Sequence, residues 1–125
     1  MNVKPTNSEL EILQIVWKRG SVTVREVNEE LSKDKGTEIG YTTTLKLMQI
    51  MHEKGLLERE TSSRTHVYKA LISQSKTSQT LIDALIDTVF NGSASQLVMQ
   101  ALSNKKSSRE EIEMIKKYLD QLDKK

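Results

Sequence analysis

Between Gly40 and Arg64 the apolar residues change their spacing, and that change limits what the chain can fold into. Up to Met51 the spacing is helical, which puts Thr44, Leu47, Met48 and Met51 on one side of a helix. After Gly55 the step drops to two. Val67, Lys69 and Leu71 alternate with His66, Tyr68 and Ala70 behind a polar Thr61-Ser62-Ser63-Arg64 turn, which is the pattern of a hairpin strand. A helix feeding a β-hairpin is therefore expected, and 125 residues allow one compact domain with an appendage.

The other side of that helix carries Thr42, Thr43, Lys46 and Gln49, and no carboxylate occurs from Ile39 to His52. Such a face approaches phosphate without repulsion and offers donors and acceptors to base edges in a major groove. The same residues also suit an ordinary solvated helix face. A net charge of +2 and a pI near 8.8 allow nucleic-acid binding without demanding it, so a DNA face has to come from local arrangement.

Two helix starts precede this stretch, because Thr6 with Glu9 and Thr23 with Glu26 have the spacing of a capping box. The first helix is lined by Leu10, Ile12, Leu13, Ile15, Val16 and Trp17 and stops at Gly20, with Trp17 read as a core anchor. The second has Val24, Val27 and Leu31 inside and Arg25, Glu29 and Glu30 outside, over about two and a half turns. A loop from Ser32 to Gly40 follows, with Gly36 and Gly40 ending the helix and redirecting the chain. Three helices and a hairpin in this order make a winged helix-turn-helix domain, mainly α with a small β wing, assigned to residues 1–72. The hairpin tip, Ser62, Ser63 and Arg64, would lie beside the phosphate backbone with Arg64 as the ionic contact, or else form a solvated turn.

Residues 73–125 show helical spacing only. One apolar row runs through Leu81, Ile82, Leu85, Ile86, Val89 and Phe90 and is broken by Asn91 and Gly92. A second holds Leu97, Val98, Ala101 and Leu102, and a third, after a capping box at Ser108 and Glu111, holds Ile112, Ile115, Tyr118, Leu119 and Leu122. These rows exceed what so short a unit hides by itself. An isologous homodimer is expected, with Leu81, Leu85, Val89, Leu97, Val98, Ile112, Ile115 and Leu119 at its interface; the alternative is that the segment folds back on the first domain.

Other chemistries find little support. Without cysteine there is no disulfide or thiolate site, and no window of about 18 apolar residues exists to insert in a membrane, so a cytoplasmic protein is expected. The absence of a phosphate loop, an HExxH pair or a nucleophile elbow argues against an enzyme and implies no cofactor. His52 and His66 lack further ligands at metal-site spacing, so no metal is assigned.

The succession PTNSELEILQIVWKRG, TVREVNEEL, GYTTTLKLMQIMHEKGLLERE and HVYKAL resembles the penicillinase repressor and methicillin-resistance repressor (BlaI/MecI) family, which has copper-responsive relatives. The resemblance continues through SASQLVMQAL and SREEIEMIKKYL. It implies a dimeric repressor with a winged helix domain and a helical dimerisation domain on palindromic double-stranded DNA operators, controlling antibiotic-resistance or stress-response genes. It places Thr42, Thr43 and Lys46 on the recognition helix at the DNA, with Gln49 beside them, and puts Ile50 where the family often has a basic residue. It also implies a membrane-bound sensor metalloprotease as partner, which cuts better-known members at an Asn-Phe pair; Gln100 and Ala101 occupy that position here. The paired cysteines of the copper-responsive branch are absent. A rival reading is a protein-interaction module whose winged helix does not bind specific DNA; steep salt dependence of duplex binding separates the two.

Overall fold

A computed structural model of the chain describes residues 4–104 and 107–124. Helices α1 (Asn7–Arg19), α2 (Val24–Lys35) and α3 (Tyr41–Glu53) are followed by strands β1 (Leu57–Glu60) and β2 (Val67–Ala70) and then by α4 (Gln74–Val89), α5 (Ala94–Asn104) and α6 (Arg109–Asp123). The chain divides into two compact units, Met1–Gln79 and Thr80–Lys125, and the division falls within α4. The first is a winged helix-turn-helix domain.

Helix starts in this chain are local chemistry. The three anticipated capping boxes form: Glu9 N–H donates to Thr6 Oγ1 and Thr6 N–H to Glu9 Oε1, and the same reciprocal pair joins Thr23 with Glu26 and Ser108 with Glu111. Each box satisfies two amides that the helix leaves open. Gly20 ends α1 at φ +88°, a conformation that costs a residue with a Cβ more than it costs glycine.

α2 departs from its expected length by continuing through Lys35, so the loop begins at Gly36 instead of Ser32. The helix ends where Gly36 takes the left-handed conformation at φ +68°, and two surface charges add to that stop. Lys35 Nζ pairs with Glu11 Oε2 on α1 at 3.1 Å, and Lys33 and Lys35 place positive charge at the helix C-terminus, where the dipole favours it.

The core of the first unit gathers Ile12, Leu13, Ile15 and Val16 of α1, Val24, Val27 and Leu31 of α2, Met48 and Met51 of α3, and Leu56, Leu57 and Tyr68 around the hairpin. Burying each large side chain contributes about 1.5–3 kcal/mol, so this cluster rather than the surface ion pairs holds the fold. Trp17 packs against its edge, and its indole Nε1–H donates to Ile72 O at 2.9 Å, tying α1 to the chain beyond β2.

The hairpin is antiparallel, with Leu57 opposite Ala70, Arg59 opposite Tyr68 and Glu60 opposite Val67. β2 begins one residue later than the alternation from His66 to Leu71 suggests and ends one residue earlier, at Ala70; Thr65 and His66 belong to the tip, where Ser62 N–H folds back on Glu60 Oε1 and Ser63 Oγ–H on Thr65 O. Val22 adds a further rung. Its N–H donates to Tyr68 O at 3.0 Å and its carbonyl accepts from Tyr68 N–H at 2.7 Å, so the α1–α2 link is a third short strand piece beside β2.

In the second unit, α4 ends ahead of Asn91 and Gly92, which both adopt positive φ. No described residue of α5 or α6 is buried. Val89, Val98, Met99, Ile112, Met114, Tyr118 and Leu119 stand exposed along the three helices. None of the described helices is long and apolar enough to cross a membrane.

Candidate nucleic-acid interface

The orientation of α3 is fixed from both ends. At its start, the Asn28 side chain on α2 uses both protons of Nδ2, one on Ile39 O and one on Thr44 Oγ1, each at 2.9 Å. Thr44 is fully buried, and this bond satisfies a hydroxyl that would otherwise be stranded in the core. At its end, Lys54 Nζ meets Glu9 Oε1 at 2.7 Å. Between them Met48 and Met51 are fully buried, which turns Thr42, Thr43, Lys46 and Gln49 outward, all four exposed. Ile50 is also on the exposed side. The helix extends one residue past the acid-free stretch, so Glu53 puts a carboxylate at the last exposed position of this face, and the acid-free part is confined to the turns before it.

The start of α3 differs from the other helices. α1, α2, α4, α5 and α6 each begin with a hydroxyl accepting a backbone N–H, from Thr6, Thr23, Ser73, Ser93 and Ser108. α3 begins at Gly40, has no side-chain cap and carries no acid in its first turn. The Thr43 and Thr44 amides turn back on Gly40 O, at 3.1 and 3.3 Å, which leaves the Tyr41 and Thr42 amides as the open donors of this helix start.

The Glu9 carboxylate serves two elements at once, accepting from Thr6 N–H at the start of α1 and from the Lys54 ammonium at the end of α3. Burial pushes its pKa up, but the Lys54 hydrogen bond, the Thr6 amide and the Lys54 charge outweigh that and hold it below the ordinary carboxylate value. A lowered folded pKa means the contribution is complete above the unfolded value and is lost as pH falls through the folded one. Thermal melts in acid should therefore show a steady fall in stability below about pH 4.5. The fall should be shallower in Glu9→Gln, which starts less stable at neutral pH; parallel curves for the two proteins would remove Glu9 as a source.

At the wing, Ser62, Ser63 and Arg64 are exposed at the tip. Glu60 accepts from the Ser62 amide, which holds its carboxyl below the usual range and shapes the turn. β1 is the strand that runs alongside α3, while β2 lies against α1. Arg59 is a basic residue of the wing that the helix-and-tip reading passes over. Strand alternation and the register put it with Leu57, Tyr68 and Ala70 on the inward side of the hairpin, half-buried. The signal is present in the sequence, since Leu57 and Arg59 are two apart, but strand pairing is needed to read it.

The proposed interface residues of the second unit are all only partly covered in the single chain: Leu85, Val89, Val98, Ile112 and Leu119 are exposed, and Leu81, Leu97 and Ile115 are half-buried. Gln100 and Ala101 are exposed on regular helical backbone inside α5. His52 is half-buried, His66 is exposed, and among the described residues no three carboxylate or imidazole groups gather to hold a metal ion.

Comparison with known proteins agrees with this geometry. The family model described as penicillinase repressor matches residues 5–121. The penicillinase repressor of Bacillus licheniformis is 28% identical over 93% of this chain and 89% of its own. The methicillin resistance regulatory protein MecI of Staphylococcus aureus (strain N315) is 22% identical over 92% of each chain. The solution structure of the DNA binding domain of the repressor BlaI superposes with a TM-score of 0.51 at 30% identity, covering 60% of this chain and 92% of that domain. With a match running through both units, the chain belongs to the penicillinase repressor family, a family of transcriptional repressors and not of enzymes.

Proposed function

We propose that the chain is a cytoplasmic, homodimeric repressor that blocks transcription by seating α3 of each subunit in the major groove of a palindromic operator, with the wing tip on the flanking backbone. The observation that carries this reading is the fixed outward presentation of Thr42, Thr43, Lys46 and Gln49, next to an uncapped helix start and an exposed Arg64. Two-fold symmetry follows from the exposed apolar rows of α4, α5 and α6, which a second copy covers with an identical surface. Half-sites then lie about 10–10.5 base pairs apart centre to centre, or a multiple of that.

Lys46 is the only Lys or Arg on the α3 face. Lys46→Ala is expected to lower operator affinity about tenfold or more. If the amine touches phosphate, the loss is uniform over sequences and the salt slope drops by about 0.9 per subunit; if it reads a base edge, discrimination relaxes at one operator position. Unchanged affinity in a mobility-shift titration excludes both, and no salt-dependent affinity of the parent chain for any duplex leaves the protein-interaction reading in its place.

A membrane-bound sensor protease fits this reading only through local opening of α5. Gln100 and Ala101 replace the Asn-Phe pair and lie on helical backbone, which a protease cannot extend across its cleft without unwinding it.

A further inference from the structure

The apolar side chains of α3 divide by their surroundings. Met48 and Met51 are in the core and Leu45 and Leu47 pack against it, whereas Tyr41 and Ile50 are exposed. Tyr41 opens the helix. Ile50 stands in its regular part, 37% exposed, and follows Thr43 and Lys46 at steps of three and four, so the three side chains form one row along the helix.

The surroundings of Ile50 limit what it can meet. Its neighbours on the exposed face are Thr43, Lys46, Gln49 and Glu53, all of them polar. A lone apolar group among polar ones is too small for a protein-docking patch, which takes a contiguous apolar area. It gains nothing from a phosphate either. On a face presented to a major groove, the apolar group that base edges offer is the C5-methyl of thymine. Isoleucine also suits that contact by its stiffness, because β-branching leaves one strongly preferred χ1 in a helix and little freedom to lose on binding. For a helix lying along the groove, the stretch from Thr43 to Ile50 spans about 10 Å, roughly three base-pair steps. The methyl then belongs to a different base pair from the one that Thr43 faces.

We propose that Ile50 is a specificity-determining contact of the α3 face, reading the C5-methyl of a thymine in each half-site. The proposal rests on the DNA-binding reading above and adds apolar discrimination to the hydroxyl, amine and amide groups beside it. Because no charge is involved, the contact selects sequence without adding to the salt dependence.

The test uses the 125-residue chain with Ile50→Ser, which removes the branched apolar group, and with Ile50→Val, which keeps most of it. The probe is a duplex selected by the parent chain from a random-sequence pool. Each of its thymines is replaced in turn by deoxyuridine, singly and at both symmetry-related positions; that base pairs like thymine and lacks only the methyl. For the parent chain we expect one such replacement to lower affinity roughly fourfold per half-site, and tenfold or more for both. Ile50→Ser should bind the all-thymine duplex more weakly by at least the same factor and be indifferent to that replacement, with the salt slope of the parent and nearly its melting temperature. Ile50→Val should retain the sensitivity. A parent chain indifferent to every replacement overturns the methyl contact and leaves the DNA-binding reading intact. Undiminished sensitivity in Ile50→Ser does the same, since another residue would then meet the methyl. A large fall in the melting temperature of Ile50→Ser also overturns it, because Ile50 would then be a packing residue. Failure of the parent to select any duplex removes the DNA-binding reading and this contact with it.

Discussion

Leu119→Asp is expected to give a monomer whose affinity for a palindromic duplex is about 10²–10⁴-fold lower, with little change in affinity for a single half-site. Leu119 is 54% exposed in the single chain, and α6 has no buried residue, so the substitution removes almost nothing from the subunit itself. Surface changes of that kind stay within about 0.5 kcal/mol. In a two-fold interface the same position is covered twice, and each Asp carboxylate would enter an apolar surface without a partner. The functional loss comes from linkage: α3 carries only one amine on its outer face, so a lone subunit binds weakly and the second subunit supplies the gain through effective concentration. Sedimentation equilibrium reads the mass and fluorescence anisotropy the affinity, with circular dichroism confirming retained helix. A dimer mass for Leu119→Asp would take α6 out of the interface, and a concentration-independent monomer mass for the parent chain would remove the dimer.

What could be read from the chain depends on how far apart the deciding atoms lie in sequence. The capping boxes at Thr6, Thr23 and Ser108 are readable because donor and acceptor are three residues apart. The polar side of α3 is readable for the same reason, since the helical period alone separates Lys46 from Met48. The end of α2 is readable at Gly36, which caps it in the left-handed conformation, though not the helical turn from Ser32 that leads there. The Val22 rung is not readable, because it depends on a partner 46 residues away at Tyr68. Arg59 belongs to this second class: its alternation with Leu57 is visible, but its inward placement opposite Tyr68, with a buried Nε, appears only when the register is known. The apolar rows of the second unit are fully visible in the sequence, and they stand largely exposed in the single chain.

Tyr68→Ala carries the largest expected cost to the first unit, about 3–5 kcal/mol. The side chain is 1% exposed and is the largest of the fully buried ones. It also stands where three pieces of chain meet: it faces Arg59 on β1, its backbone exchanges two hydrogen bonds with Val22, and its strand lies against α1. Truncation leaves a cavity that these pieces can close only by giving up the register that holds the wing beside α3. Against a total stability of roughly 5–15 kcal/mol for a domain, the loss is a large fraction, and for a unit of this size it lowers the melting temperature by more than about 10 °C. Leu71→Ala is the matched control, three positions along the chain and 54% exposed, and it should move the melt by no more than about 0.5 kcal/mol. Melts followed by far-ultraviolet circular dichroism separate the two, and equal shifts would mean that the hairpin is held by its strand pairing and not by the packing of Tyr68. At a temperature where Tyr68→Ala remains folded, its affinity for duplex DNA should still be reduced, because in the proposed complex the wing meets the backbone from the position that this ring maintains.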